Sequence, residues 1–271
     1  MTYLLRMQQK ARRFLYSLQR TIGVRNPWQV AVYAVARARG AAGQGRYGLE
    51  PRIGEHPFDL EYGVQTGGLI ASDPADATRH AYYGVSPSVF GRACRLWQKT
   101  LPPGVGPEAC TFVDLGAGMG RALLLASQFP FRRVVGVEVK GELVDVARRN
   151  IASWVAAGRA KSPIEILKAD VLHFSFPDGP LLIFLYNPFG EEILQQILDR
   201  LPSVTPPATI DVLYVHPIFG FLFGQRGDFE RLWMKLVPLD SVDAKADAFR
   251  STFETCVAYR RGPRKPGPTA P

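Results

Sequence analysis

The chain is 271 residues long, 46% hydrophobic and 21% charged, which suffices for one substantial core, either a single α/β domain or a domain with an extension. No apolar run approaches the ~20 residues that a bilayer-spanning helix needs. Cys94, Cys110 and Cys256 have neither metal-ligand spacing nor an even count for disulfides. The expectation is therefore a reduced, cytoplasmic protein without a metal site.

The net charge of +9 is unevenly placed. Residues 1–46 hold nine of the 33 bases and no acid, leaving 24 bases against 24 acids in the rest of the chain. The first residues carry Arg6, Lys10, Arg12 and Arg13 with no apolar stretch behind them, so no leader is expected. In this arm Leu4, Met7, Ala11, Phe14, Leu15, Leu18 and Ile22 recur at helical spacing, with Arg6, Lys10, Arg13 and Arg20 on another face. Asn26-Pro27 reads as the cap of a second helix that runs from Trp28 to Arg39 and stops at Gly40. Such a basic amphipathic arm either packs its stripe on the rest of the protein or lies on an anionic membrane or partner through residues 1–25. With no recognition motif and no interleaved aromatics, nucleic acid is the less expected partner.

Residues 40–80, rich in Gly, Asp and Pro, read as irregular. Ser86-Pro87 then caps a helix to about Lys99, which Pro102-Pro103-Gly104 ends. From 110 onward the pattern alternates as in a parallel α/β sheet, with strands at 111–115, 133–138, 163–168, 181–186 and 209–215. Helices fall at 120–128, 141–157 and 190–200. Two last strands, about 235–241 and 254–261, lack a convincing helix between them and suit an antiparallel hairpin. The tail from Gly262 to Pro271 carries four prolines and two glycines and reads as disordered. This divides the chain into a basic helical extension (1–45), a lid or linker with the first helix (46–110), a ligand-binding domain (111–261) and the tail (262–271).

The most informative stretch is Val113-Asp114-Leu115-Gly116-Ala117-Gly118-Met119-Gly120-Arg121. It reads as a strand, a turn stripped of side chains, and a helix start whose free N–H groups suit an anionic part of a ligand. A dinucleotide fingerprint is spaced G-x-G-x-x-G; here the spacing is G-x-G-x-G with an acid two residues ahead. In open α/β sheets ligands sit beyond the carboxyl ends of the strands, so polar residues at those ends belong together. The second strand ends at Glu138, a pure acceptor suited to ribose hydroxyls. The third is followed by Asp170, placed to meet an adenine amino group. The fourth ends in Asn187-Pro188-Phe189, and the fifth is followed by His216, whose ordinary pKa suits a general base. His173 is a weaker candidate for the same task.

Asp-x-Gly-x-Gly-x-Gly, followed in order by Glu138, Asp170 and Asn-Pro-Phe, resembles the class I S-adenosylmethionine (SAM)-dependent methyltransferases over roughly residues 86–260. The resemblance extends to uncharacterised bacterial methyltransferase-domain proteins, in which segments similar to Tyr62–Gly68 and Tyr83–Phe90 precede the domain. It implies a Rossmann-like α/β fold: a mostly parallel seven-stranded sheet flanked by helices, here with an α-helical N-terminal extension. It also implies SAM as cofactor, held by Asp114, Gly116, Gly118, Gly120, Glu138 and Asp170. Segments 62–68 and 83–90 would form a lid, with Tyr82 and Tyr83 at the methionine end or the substrate. Asn187-Pro188-Phe189 resembles the Asp/Asn-Pro-Pro-Tyr/Phe motif of amino-group methyltransferases, with one proline where that motif has two. The implied activity is methyl transfer to a nitrogen of a protein lysine or a small amine. Alternatives are O-methylation with His216 as base, a non-catalytic binder targeted by its basic arm, and an NAD(P)-dependent oxidoreductase.

Overall fold

A computed structural model describes residues 56–70, 82–202, 209–247 and 251–262. The expected arm helices and the tail beyond residue 262 lie outside the described residues. The first described element is a helix, α1 (Pro57–Tyr62), in the stretch read as irregular. His56 supplies its cap by accepting from the Phe58 N–H, Pro57 opens it, and Gly63 closes it in the left-handed region at φ +65°. Its six residues carry too little periodicity for a sequence pattern to register. Two short strands, β1 (Leu69–Ile70) and β2 (Tyr82–Tyr83), pair antiparallel.

The α/β alternation then follows: α2 (Pro87–Gln98), β3 (Thr111–Leu115), α3 (Arg121–Ala126), β4 (Arg133–Glu138), α4 (Gly141–Ala156), β5 (Ile164–Lys168), β6 (Leu181–Tyr186), α5 (Glu191–Arg200) and β7 (Ile210–Val215). The chain closes with α6 (Phe221–Gln225), β8 (Phe229–Pro238), α7 (Ser241–Ala246) and β9 (Phe253–Arg261). These strands form one seven-stranded sheet in the order β5-β4-β3-β6-β7-β9-β8. Pairings from β5 to β7 are parallel, and β9 is antiparallel to both β7 and β8. The architecture is the Rossmann-like one expected, with the antiparallel strand in the last hairpin.

Alternation along the central strands feeds two cores. Phe112, Leu182, Phe184 and Leu213 face α2, α3 and α4, together with Phe90, Trp97 and Trp154. Val113, Ile183, Leu185 and Val212 face α5 and α6, together with Ile193, Ile197 and Phe223. Both faces are covered, which is why β3 and β6 read as continuous apolar runs. Helix α2 packs in the same core as the sheet.

The hairpin differs from the sequence reading. Strand β8 begins at Phe229 rather than near 235, and α7 intervenes before β9. As an edge strand β8 exposes Glu230, Arg231, Lys235 and Leu236, and a register shift between Arg231 and Trp233 breaks its alternation. Helix α7 is short, and Asp240 caps it by accepting from the N–H groups of Val242 and Asp243. Ser86 occupies the N-cap position of α2, yet its side chain makes no capping bond. Asp243 of α7 caps α2 instead, accepting from the Ser88 N–H at 2.7 Å and from the Ser88 hydroxyl.

A buried carboxylate ties the layers together. Asp211 on β7 accepts from the Trp97 indole of α2 (2.8 Å) and from Nε (2.8 Å) and Nη2 (2.7 Å) of Arg260 on β9. Asp211→Ala strands both donors, so unfolding free energy should fall by about 3 kcal/mol, the scale for breaking a buried ion pair. Urea titration of the two proteins measures this; a loss well under ~1 kcal/mol would mean the cluster stabilises little.

Candidate functional site

The sheet order reverses at β3: the chain steps outward through β4 to β5, then returns to β6 on the other side of β3. At this switch point, where such sheets bind ligands, a single cavity gathers Asp114, Gly116, Glu138, Asp170, Pro188 and Phe189. Six of the ten residues expected at the site therefore line one cavity. Gly118, Gly120, Asn187 and His216 are not among the lining residues.

All three glycines of the turn adopt positive φ: Gly116 at +83°, Gly118 at +53° and Gly120 at +86°. What presses on each backbone is another part of the protein. A Cβ on Gly116 would stand 2.7 Å from Cβ of Pro188, one on Gly118 would stand 2.1 Å from the Tyr82 ring, and one on Gly120 would stand 3.3 Å from Cβ of Ala147. Within the protein, the turn after β6, strand β2 and α4 each require a glycine here.

Glu138 works within the protein as well as on the wall. Its Oε2 accepts from the Gly118 N–H at 3.0 Å, and its Oε1 accepts from the N–H groups of Val139 and Lys140 at 2.9 Å each. One carboxylate thus pins the glycine turn to the start of α4, and Oε2 keeps acceptor capacity for one more donor. Asp170 caps the 3-10 turn Val171–His173 by accepting from the Leu172 N–H at 2.9 Å. His173 is the last residue of that turn. Asp114 is buried, and burial first, then the nearby Glu138 charge, pushes its carboxyl up to about 8.

Beyond β6 and β7 the backbone is strained at two non-glycine residues, Asn187 (φ +44°) and His216 (φ +56°). The Asn187 amide oxygen, expected to face an acceptor, takes the Tyr214 hydroxyl at 3.0 Å. His216 Nδ1 lies 3.3 Å from Glu254 Oε2, and Glu254 Oε1 accepts from the Tyr186 hydroxyl at 3.2 Å. Tyr186 lines the cavity, and its ring centroid is 6.5 Å from that of Tyr83, another lining residue. Tyr83 donates to Asp247 Oδ1 at 3.0 Å.

A buried polar cluster that no motif announces anchors the strap formed by residues 56–67 and 82–85. Asp59 accepts from the Thr66 N–H and hydroxyl and from the Gly67 N–H. Arg121, from the first turn of α3, donates through Nε to Thr66 Oγ1 (2.7 Å) and through Nη1 to the Gly84 carbonyl (3.2 Å). Its Nη2 lies 3.7 Å from Asp59 Oδ1 without a hydrogen-bond partner. Tyr82 donates to the Thr66 carbonyl at 2.8 Å. Of the segments named from sequence, Tyr83–Val85 line the cavity and 62–68 does not; the two are tied together through Arg121 and through Asp59, which carried no sequence signal. Among the described residues no His/Cys/Asp/Glu group could hold a metal, and no helix is long and apolar enough to cross a membrane.

No protein-family model matches the chain, and neither does any curated protein. Among solved structures it is similar to a tRNA methyltransferase of M. jannaschii at 14% identity, covering 73% of this chain and 58% of that one, with a TM-score of 0.42. It is similar to magnesium protoporphyrin IX methyltransferase of Synechocystis PCC 6803, with bound SAM, at 12% identity, covering 64% and 78%, TM-score 0.44. An RNA methyltransferase of Salinibacter ruber, in complex with S-adenosyl-L-homocysteine, gives 17% identity, coverage of 66% and 93%, and TM-score 0.42. At such values the fold rests on this protein's own strand order.

Two substitutions test the site's construction. Unfolded, Asp114 titrates near its ordinary 3.8; folded, it titrates near 8, so between these values the folded state holds the extra proton. Stability from this group is then present at low pH and declines as pH rises through that window. Asp114→Asn removes the decline, so its Tm relative to wild type should rise from about pH 5 to about pH 8, read by calorimetry without ligand. A pH-independent difference would show that Asp114 is ionised throughout. Gly116→Ala must place a Cβ against Pro188 at positive φ, and should cost about 1–3 kcal/mol in a denaturant titration.

Proposed function

We propose that this protein is a SAM-dependent methyltransferase whose acceptor atom is a nitrogen of a lysine side chain or a small amine. The observation that carries the reading is the order of acids on one cavity wall: Asp114, Glu138 and Asp170 at the ends of three adjacent parallel strands, beside the glycine turn. Residues suited to each part of the cofactor are present. Glu138 Oε2 retains room for a ribose hydroxyl, and Asp170 is suited to an adenine amino group. Bound SAM would supply an electrophilic methyl group on a sulfonium.

The chain's own residues supply position and exclusion. Pro188 and Phe189 form the wall next to the glycine turn, and Asn187, outside the lining, takes the Tyr214 hydroxyl and so holds the turn that presents them. A fixed wall counts for much in a displacement, where alignment of nucleophile and leaving group carries much of the rate. The strap residues Tyr82–Val85 line the same cavity. O-methylation with His216 as base is disfavoured because His216 is not among the lining residues. A dinucleotide reading is disfavoured by the glycine spacing.

Equilibrium binding of tritiated SAM tests the cofactor. Wild type should bind, and Glu138→Ala should bind about 10–100-fold more weakly, the scale for losing charge-assisted hydrogen bonds. SAM that failed to bind, or Asp114→Ala behaving as wild type, would sink the reading. Incubation with labelled SAM and host lysate then separates acceptor classes, and counts in protein or amines are the expected result.

A further inference from the structure

Two of the acids that line the cavity come from neighbouring strands and meet very different surroundings. Asp114 is on β3 and Glu138 on β4, which pair in parallel with Asp114 opposite Gly136. Glu138 has its charge met by three backbone N–H groups. Asp114 is only 4% exposed, and among the described residues its carboxyl takes part in no hydrogen bond and no ion pair. The fully buried side-chain nitrogens and oxygens left without a partner belong, among the described residues, to Arg121, Arg133 and Trp233. The Asp114 oxygens are therefore not sealed in; they open on the cavity that the residue lines.

The other titratable groups of the lining leave Asp114 without a counter-charge. Arg121, from α3, gives its guanidinium to Thr66 and Gly84 and stands against Asp59. Lys140, at the start of α4, forms no ion pair with Asp114. Asp170, after β5, is a third acid on the lining, and the strap adds the Tyr83 phenol. Tyr82 of the strap and Tyr186 of β6 are kept as neutral phenols by burial. A buried carboxylate that lacks a partner and has a charged acid nearby is costly, so a carboxyl in that position keeps its proton. Burial first, then Glu138, holds the Asp114 proton up to about 8. A positive charge entering the cavity alters the balance, because it stabilises the carboxylate and not the acid.

We infer that Asp114 carries a proton in the ligand-free protein and yields it when a cationic ligand enters, so that uptake of SAM exchanges one positive charge for another. The O–H bond of the Asp114 carboxyl breaks, and its proton passes to water or buffer. The carboxylate left behind is balanced by the ligand, whose sulfonium and α-ammonium are both positive. This rests on reading the cavity as a SAM site and adds a control of that site by pH. By linkage, what the cation does to the proton the proton does to the cation. Affinity for SAM therefore rises with pH until Asp114 is ionised without help, and a ligand with no positive charge is unaffected.

Calorimetric titration of the full-length protein with SAM, in buffers of unlike ionisation enthalpy, counts the protons released. At about pH 6.5 wild type should release about one proton per SAM bound, and Kd should fall about tenfold between about pH 6 and about pH 7. Adenosine, which shares the nucleoside part of SAM but neither cationic centre, should bind with no release and with a pH-independent Kd. Asp114→Asn should bind SAM more weakly, with neither proton release nor pH dependence. Circular dichroism checks the folding of the variant, and the comparison of SAM with adenosine on wild type needs no variant at all. Equal proton release by adenosine and SAM, or release and pH dependence that persist in Asp114→Asn, would overturn the inference. SAM bound with no proton release and a pH-independent Kd would also remove it, while leaving the methyltransferase reading intact. SAM that failed to bind at any pH in that range would remove that reading, and the proton exchange with it.

Discussion

Everything around the cavity depends on a turn that has no room for a side chain at three of its positions, Gly116, Gly118 and Gly120. After β3 the backbone passes beneath Pro188, then beneath the Tyr82 ring, then against Ala147, within six residues. Three separate parts of the molecule (the turn after β6, the strap, and α4) are positioned by contact with this one stretch. Positive φ at all three glycines lets it bend so sharply. The Glu138 carboxylate then fixes the bend by taking the Gly118 N–H together with two more from the start of α4.

The strap is held by a different kind of force. Asp59, Thr66 and Arg121 are all buried, and the guanidinium spends two of its nitrogens on the strap itself. Breaking such a cluster leaves an uncompensated buried charge, so the strap is held firmly rather than loosely draped. Arg121 sits immediately after the last glycine of the turn, so the element that shapes the cavity floor also fastens its cover.

Much of the fold was legible because its signals are local. The central strands are covered on both faces and so read as apolar runs, and β3, β4 and β6 fall where the sequence places them. Glu138 and Asp170 were legible because strand ends in such sheets converge. The strap was not legible as a unit, because Asp59 acts on Thr66 through space and across Arg121, with no periodicity to mark it. Glu254 and Asp247 escaped notice for a similar reason: each meets a tyrosine far away in sequence. Edge strand β8 was misplaced because exposure and a register shift erased its alternation. The protein neighbours of Gly118 and Asn187, the Tyr82 ring and the Tyr214 hydroxyl, were not legible either, since spacing says that something approaches closely but not what.

The order of strands at the far edge has a consequence for synthesis. Strand β9 lies between β7 and β8, although β8 precedes it in the chain. As the polypeptide leaves the ribosome, β7 therefore presents a bare edge, and β8 has no neighbour in the sheet, until residues 253–261 emerge. Over the same interval the Asp211 carboxylate has the Trp97 indole but lacks Arg260. The nascent protein is thus exposed to strand-mediated association in the interval between the emergence of β7 and that of β9, when β3 to β6 are already available to pair.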